Sequence, residues 1–204
     1  YELGKVFRAG EAGRWHNPEF TMLEWYRVGW TYHQLMEEVE ALVRLLLNQE
    51  SANWTSQKLS YRALHQAILN IDPFTLNNDD WIQLAQSHGL NSADRETLAT
   101  LQDFIYGVAI RQHLPNNQLT IIYDFPVHQA ALARIRPGQP SVAERFELFM
   151  GNIEIANGYQ ELCDEQEQRQ RFENDQRIRQ QHGLSIRPLD QYFLTAMQNG
   201  IPEC

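Results

Sequence analysis

VAERFELFMGNIEIANGY, residues 142–159, is the stretch from which the fold can be read. Two strand-like runs flank Gly151-Asn152, a dipeptide suited to a two-residue hairpin turn. Such a turn pairs Met150 with Ile153 and Phe149 with Glu154, and puts Glu147 two residues further along the face that carries Glu154. Diagonal neighbours of this kind lie roughly 7–8 Å apart, close enough for their side chains to converge. Two like charges on one sheet face repel unless a cation lies between them, and hard carboxylate oxygens suit Mg²⁺ whose shell is completed by phosphate oxygens. A solvated outer face is the alternative, and the apolar neighbours on both faces favour the metal. Past Glu154, strict alternation sends Asn157 and Glu161 to the opposite face. For all three to serve one pocket, the strand must bulge or end near Gly158.

Upstream, residues 119–125 (LTIIYDF) are β-branched and aromatic and read as a buried strand stopped by Pro126. At the start of the chain, residues 1–8 and 19–27 read as two strands joined by a polar loop, 9–17, that contains Arg14-Trp15-His16-Asn17. On the second strand Phe20, Met22, Glu24 and Tyr26 share one face. Thr21, Leu23 and Trp25 take the other, so both faces are largely apolar and the strand is expected to be covered on both sides. An unpaired Glu24 would be costly there, and either an arginine (Arg8 or Arg27) or a bound cation must answer it. Arg8 stands where the first strand opens into the loop, a place from which a guanidinium can grip phosphate.

Thr31 with Gln34 three residues on forms a capping box for a helix, with Leu35, Val39, Leu42 and Leu46 on one face. Two or three helices are expected over 60–113, broken at Asp72-Pro73 and Gly89. A very polar helix spans 164–182 up to Gly183, and a last one spans 190–199 up to Gly200. The sum is an α+β domain: an antiparallel β-sheet flanked by helices.

The 204 residues carry a net charge of −9, which weighs against a sequence-independent nucleic-acid surface. No apolar run is long enough to span a membrane. No leader follows Tyr1, and two cysteines, Cys163 and Cys204, are too few for a disulfide framework, so a cytoplasmic protein is expected. The seven histidines are scattered, and no convincing Ser/His/Asp or Cys/His set is present.

FRAGEAGRWHNPEFTMLEWYR (7–27) resembles the second signature motif of class II aminoacyl-tRNA synthetases, in their lysine branch. ERFELFMGNIEIANGYQEL (144–162) resembles that branch's metal and amino-acid segment. HNPEFTMLEWYR, VAERFE and the closing GIPEC bring the likeness nearest to the elongation factor P (R)-β-lysine ligases, paralogues that modify a translation factor. The likeness runs from end to end and is weakest over 48–118, read as a helical insertion within one partial catalytic domain, 1–204. It implies that ATP and Mg²⁺ are used, with Arg8 on the α-phosphate and Asn17, Glu11 and His16 near the nucleotide. Phe20 would stack on adenine, and Glu154-Ile155 would lie beside ATP. Glu147 and Glu154 would hold the metal, Glu24 and Tyr26 would face a lysine-type amino acid, and Asn157 and Glu161 would receive its ammonium groups. The implied partners are that amino acid and elongation factor P, with a homodimer for the full-length protein and no tRNA. The pattern departs from the family at Gly10, where a Glu is usual; here Glu11 follows one place later. The resemblance also implies truncation at both ends, after the first motif and before the third, and therefore weak or absent catalysis by the segment alone. A lysyl-tRNA synthetase domain and a non-catalytic ATP- or lysine-binding paralogue are the competing readings.

Overall fold

The computed structural model describes residues 1–10, 12–13, 16–47 and 54–204. The two strands of the hairpin on which the sequence reading turned are β6 (Val142–Met150) and β7 (Ile153–Tyr159). They pair as expected at Met150↔Ile153 and Phe149↔Glu154. Gly151 makes the turn with φ of 61°, a left-handed value at which a side chain would be strained. β6 is the central strand. β4 (Gln118–Pro126) lies antiparallel along one edge, and β7 and the short β5 (Ile135–Arg136) share the other.

The sheet is mixed. β3 (Thr55–Ser60) adds parallel to β4, a strand that the sequence reading did not place. Its residues, TSQKLS, are mostly polar, and two of the polar side chains are answered by neighbouring elements. Gln57 donates to Thr120, and Lys58 pairs with Glu37 at 2.5 Å and Glu40 at 3.1 Å on the helix above. The helical region therefore begins at Tyr61, with α2 (Tyr61–Leu69), α3 (Asn78–Ser87) and α4 (Leu98–Ile105). Past α4 the helix continues as a π-turn, Tyr106–Ile110. Pro126 lies inside β4 rather than beyond it, paired with Val142 next to a bulge at Asp124.

Alternation along β4 and β6 divides the core in two. Leu119, Ile121, Phe146 and Leu148 face α1 (Tyr32–Leu46). Ile122, Phe125, Ala143 and Phe149 face the helical region through Tyr61, Leu64 and Tyr106. The capping box at Thr31 and Gln34 is present, but the buried stripe of α1 is Tyr32, Met36 and Val39. Leu46 is exposed and Leu35 only partly buried, because the helix sits one position round from the expected face. A third cluster around Trp81 and Leu101 binds α3 to α4. The polar helix α5 (Glu165–Gln181) and α6 (Gln191–Gln198) follow their Asp164 and Asp190 caps.

β1 (Glu2–Phe7) and β2 (Glu19–Glu24) form a separate two-stranded ribbon. The expectation of a strand covered on both faces is corrected here. Leu3 is 66% and Phe7 73% exposed, and only Gly4, Val6, Phe20 and Met22 are half-buried. The apolar residues of β2 are real, but no described layer covers the Leu3–Leu23 face. The strand also ends at Glu24, so Tyr26 lies beyond it. One anchor ties the ribbon's exit to α1: Glu38 accepts from Trp25 Nε1 at 3.0 Å and Arg27 Nε at 2.8 Å.

Candidate active site

Glu147 enters the site from β6, facing the helical region. It is 7% exposed, and both of its oxygens already accept hydrogen bonds: Oε1 from Arg145 Nη2 at 2.6 Å, Oε2 from the Tyr106 hydroxyl at 2.8 Å. Burial raises its pKa, and the charge of Glu154 raises it further, with Arg145, Tyr106 and Arg111 opposing. The two carboxylates thus feel each other across the hairpin. A cleft of about 460 Å³ opens beside them, with Asp103, Tyr106, Arg111 and Arg145 also in its walls.

The parity problem in β7 is resolved by a bulge. After Phe149↔Glu154 the register shifts, leaving Ile155 as the extra residue, and the ladder resumes at Leu148↔Ala156 and Glu147↔Asn157. The bulge falls at Ile155 and not near Gly158. Gly158 has another reason to be glycine: a Cβ there would stand 2.6 Å from the Phe146 ring. The shift brings Asn157 opposite Glu147, with Tyr159 opposite Arg145. Glu161, two residues on, is held in an isolated bridge to Ala133. Glu154, Asn157, Tyr159 and Glu161 therefore follow one another along a single side of the sheet.

Glu161 and Glu24 form a second acidic pair. Burial and then the Glu24 charge push the Glu161 carboxyl up to about 7. Burial, a hydrogen bond to Glu24 at 3.1 Å, and the charges of Glu24 and Glu161 push the Tyr26 hydroxyl up to about 12. Tyr159 is likewise pushed up to about 12, by burial and then by Glu161 and Glu24. Among the described residues neither Glu24 nor Glu161 makes an ion pair: Arg27, one of the expected partners of Glu24, pairs with Glu38. Glu24 is exposed, so its charge carries no burial cost of the kind its strand position implied. Arg145 and Tyr159, cross-strand neighbours, lie between the two acidic pairs.

The phosphate-side candidates sit at the ribbon's end. Arg8 follows β1, its amide donating to the Pro18 carbonyl at 2.9 Å and its guanidinium lying 5.4 Å from the centre of the Phe20 ring. Phe20 and Glu24 share a face with Met22, as alternation requires. His16 and Asn17 are exposed in the loop, and Ile155 is exposed at the bulge. Glu11 lies outside the described residues.

Among the described residues no group of three or more His, Cys, Asp or Glu is arranged around a metal position. Glu147 and Glu154 alone still fit Mg²⁺, which is commonly held by one or two carboxylates with phosphate oxygens and water supplying the rest. A carboxylate offers about four lone-pair sites, so the two bonds that Glu147 accepts do not exhaust it.

Four residues of the site were not found from the sequence. Arg145 and Tyr159 lie two positions from residues that were, so the same parity rule reaches them. Tyr106 comes from a helix 41 residues away, and only the folded chain brings it in. Gln160 alternates with Glu161 and points into the body of the molecule, 2% exposed.

The chain matches the family of class II tRNA synthetases (D, K and N) over residues 1–204. It belongs to that family. It is 43% identical over its whole length to an elongation factor P–(R)-β-lysine ligase of Photorhabdus laumondii. The corresponding ligases of Avibacterium paragallinarum and Vibrio cholerae are 42% and 40% identical to it. The chain spans 62% of the length of each of these relatives. Among the described residues no helix is long and apolar enough to cross a membrane.

Proposed function

We propose that the protein carrying this chain is a cytoplasmic ligase. It would activate (R)-β-lysine with ATP as an aminoacyl-adenylate and transfer it to a lysine side chain of elongation factor P. The observation that carries the proposal is the pair of acidic doublets: Glu147 with Glu154 on β6 and β7, and Glu161, past the end of β7, with Glu24 at the end of β2. Glu147 and Glu154 lie beside arginines, whereas Glu24 and Glu161 make no ion pair among the described residues. The first suits a divalent cation with phosphate, the second a guest with two ammonium groups. The names of relatives at 40–43% identity agree with this reading.

In the first step a substrate carboxylate oxygen attacks the α-phosphorus of ATP, forming the new P–O bond as pyrophosphate leaves. Two anions must approach, so positioning and charge compensation are the catalyst's main tasks. Arg8 would hold the α-phosphate, with Phe20 against the adenine and Asn17 and His16 at the nucleotide. Glu147 and Glu154 would hold Mg²⁺, which supplies positive charge to the phosphate oxygens when bound. Tyr106 and Arg145 fix the rotamer of Glu147 by occupying one lone pair on each oxygen. Glu24 and Tyr26 would receive one ammonium group, and Glu161 with Asn157 the other. In the second step the ε-amine of the acceptor lysine attacks the adenylate carbonyl, the amide forms, AMP leaves and the amine gives up a proton. No enzyme nucleophile is required. The full-length protein is expected to be a homodimer that acts without tRNA.

The test is ATP–pyrophosphate exchange by the full-length protein with Mg²⁺ and (R)-β-lysine, followed by transfer to elongation factor P. Preference for α-lysine with charging of lysine tRNA would assign a tRNA synthetase instead. Binding of ATP without exchange would assign a non-catalytic paralogue.

A further inference from the structure

The two ammonium-receiving carboxylates stand on different pieces of the molecule. Glu24 ends the ribbon, and Glu161 follows the last strand of the main sheet. Something must fix the distance between them, because a diamino acid is measured by the separation of its ammonium groups. Gln160 is placed to do so. Its Oε1 accepts from the Tyr32 amide at 3.0 Å, and its Nε2 donates to the carbonyls of Trp30 at 3.2 Å and Cys204 at 2.9 Å.

These contacts tie the end of β7 to the start of α1, through Trp30 and Tyr32, and to the segment that ends at Cys204. Trp30 and Tyr32 flank the start of α1, directly after the turn that leaves the ribbon, where the Trp30 amide donates to Arg27. The main-chain oxygen of Cys204 accepts from both the Gln160 side chain and the Glu161 amide, at 2.9 Å each. Glu203, the residue before, accepts from the Gly29 amide at 2.8 Å. The segment 201–204 is thereby laced between the ribbon's exit and the end of β7, with the Gln160 amide at the crossing. A buried side-chain amide with both ends bonded is a rigid strut, since losing any of its partners leaves a polar group unsatisfied.

We infer that Gln160 is a positioning residue that sets the separation of Glu24 and Glu161, and so selects among diamino acids by the spacing of their ammonium groups. This rests on the functional reading above for the class of substrate. (R)-β-lysine and α-lysine differ in that spacing by one methylene, the amino groups standing on C3 and C6 in one and on C2 and C6 in the other. A strut shortened by one methylene, or stripped of its two N–H bonds, alters the fit to one substrate more than to the other. ATP, held at the other acidic pair, is left alone.

The experiment uses the full-length protein with Gln160→Asn and Gln160→Glu. Exchange kinetics with (R)-β-lysine, α-lysine and ATP are measured beside thermal unfolding. The ratio of kcat/KM for the two amino acids is expected to shift by about tenfold, the lower end of what one methylene decides in a fitted pocket. KM for ATP should stay within about twofold. The Asn variant keeps the amide, so it carries the test if the Glu variant does not fold. A folded variant with an unchanged ratio, or one in which both amino acids and ATP weaken together, overturns the inference while leaving the ligase reading intact. Wild-type protein that exchanges with neither diamino acid overturns the ligase reading itself.

Discussion

β2 and β6 both carry carboxylates of the candidate site, and they could hardly be built more differently. β6 has strands hydrogen-bonded along both edges and core on both faces, and its Glu147 arrives with both oxygens bonded. β2 has one partner strand among the described residues, an exposed outer face, and a Glu24 that among them accepts a hydrogen bond only from Tyr26. An acid built into the fold and an acid left open to solvent are thus distinguished by what holds them. Preorganisation on β6 suits a group that must meet phosphate oxygens in fixed geometry. The open setting of Glu24 suits the role proposed for it, in which an ammonium group of the substrate would answer its charge.

The sharpest way to break this contrast is to remove each acid in turn. Glu147→Ala leaves Arg145 and the Tyr106 hydroxyl without their buried partner and should cost about 3–5 kcal/mol of stability, read by chemical unfolding. Glu24→Gln should change stability by less than about 0.5 kcal/mol. It should instead weaken binding of the diamino acid by about 1.5–3 kcal/mol, read by calorimetry with the full-length protein. Equal effects on stability from the two substitutions would erase the distinction.

Gly158→Ala probes how tightly the rigid half is packed. Its new methyl would meet the Phe146 ring, and overpacking of this kind costs about 1–3 kcal/mol, visible as a lower melting temperature. The smallest effect belongs to the ribbon's anchor. Trp25→Phe removes the Nε1 bond to Glu38 while keeping the aromatic packing, and should cost about 1 kcal/mol in the same unfolding assay.

The same contrast explains what could be read from the sequence. The β6–β7 hairpin was legible because turn chemistry and alternation act within eighteen consecutive residues, and Phe149↔Glu154 followed from counting. That Asn157 and Glu161 could share a pocket with Glu154 only if the strand bulged or ended was legible too, but the break was expected near Gly158 and nothing local marks Ile155. The ribbon misled because Leu3, Phe7 and Leu23 look like core, and alternation says which residues share a face but not what covers it. β3 was hidden because it is polar, and Gln57 and Lys58 are answered by β4 and α1, which lie outside its own stretch of sequence. Tyr106 and Gln160 were out of reach for the same reason: their partners lie 41 to 130 residues distant. The residue types, the faces and the Glu147–Glu154 doublet came from local rules, and the coupling of Glu24 to Glu161 came only from the fold.

Glu161 offers the most direct test of the claim that the second doublet receives ammonium groups. Its carboxyl is raised to about 7 by burial and by Glu24, so near neutral pH it is partly protonated in the free protein. The neutral form is the favoured one in the fold, so the stability it contributes is present below the ordinary carboxylate pKa and is lost as pH rises through 7. A bound ammonium reverses the preference, lowers that pKa and expels the proton. Calorimetry of (R)-β-lysine binding to the full-length protein at pH 7, in buffers of different ionisation heat, should therefore show net proton release and an affinity that falls as the pH drops below 7. The release should vanish in Glu161→Gln. Binding without proton release, or release that survives in Glu161→Gln, would contradict the account.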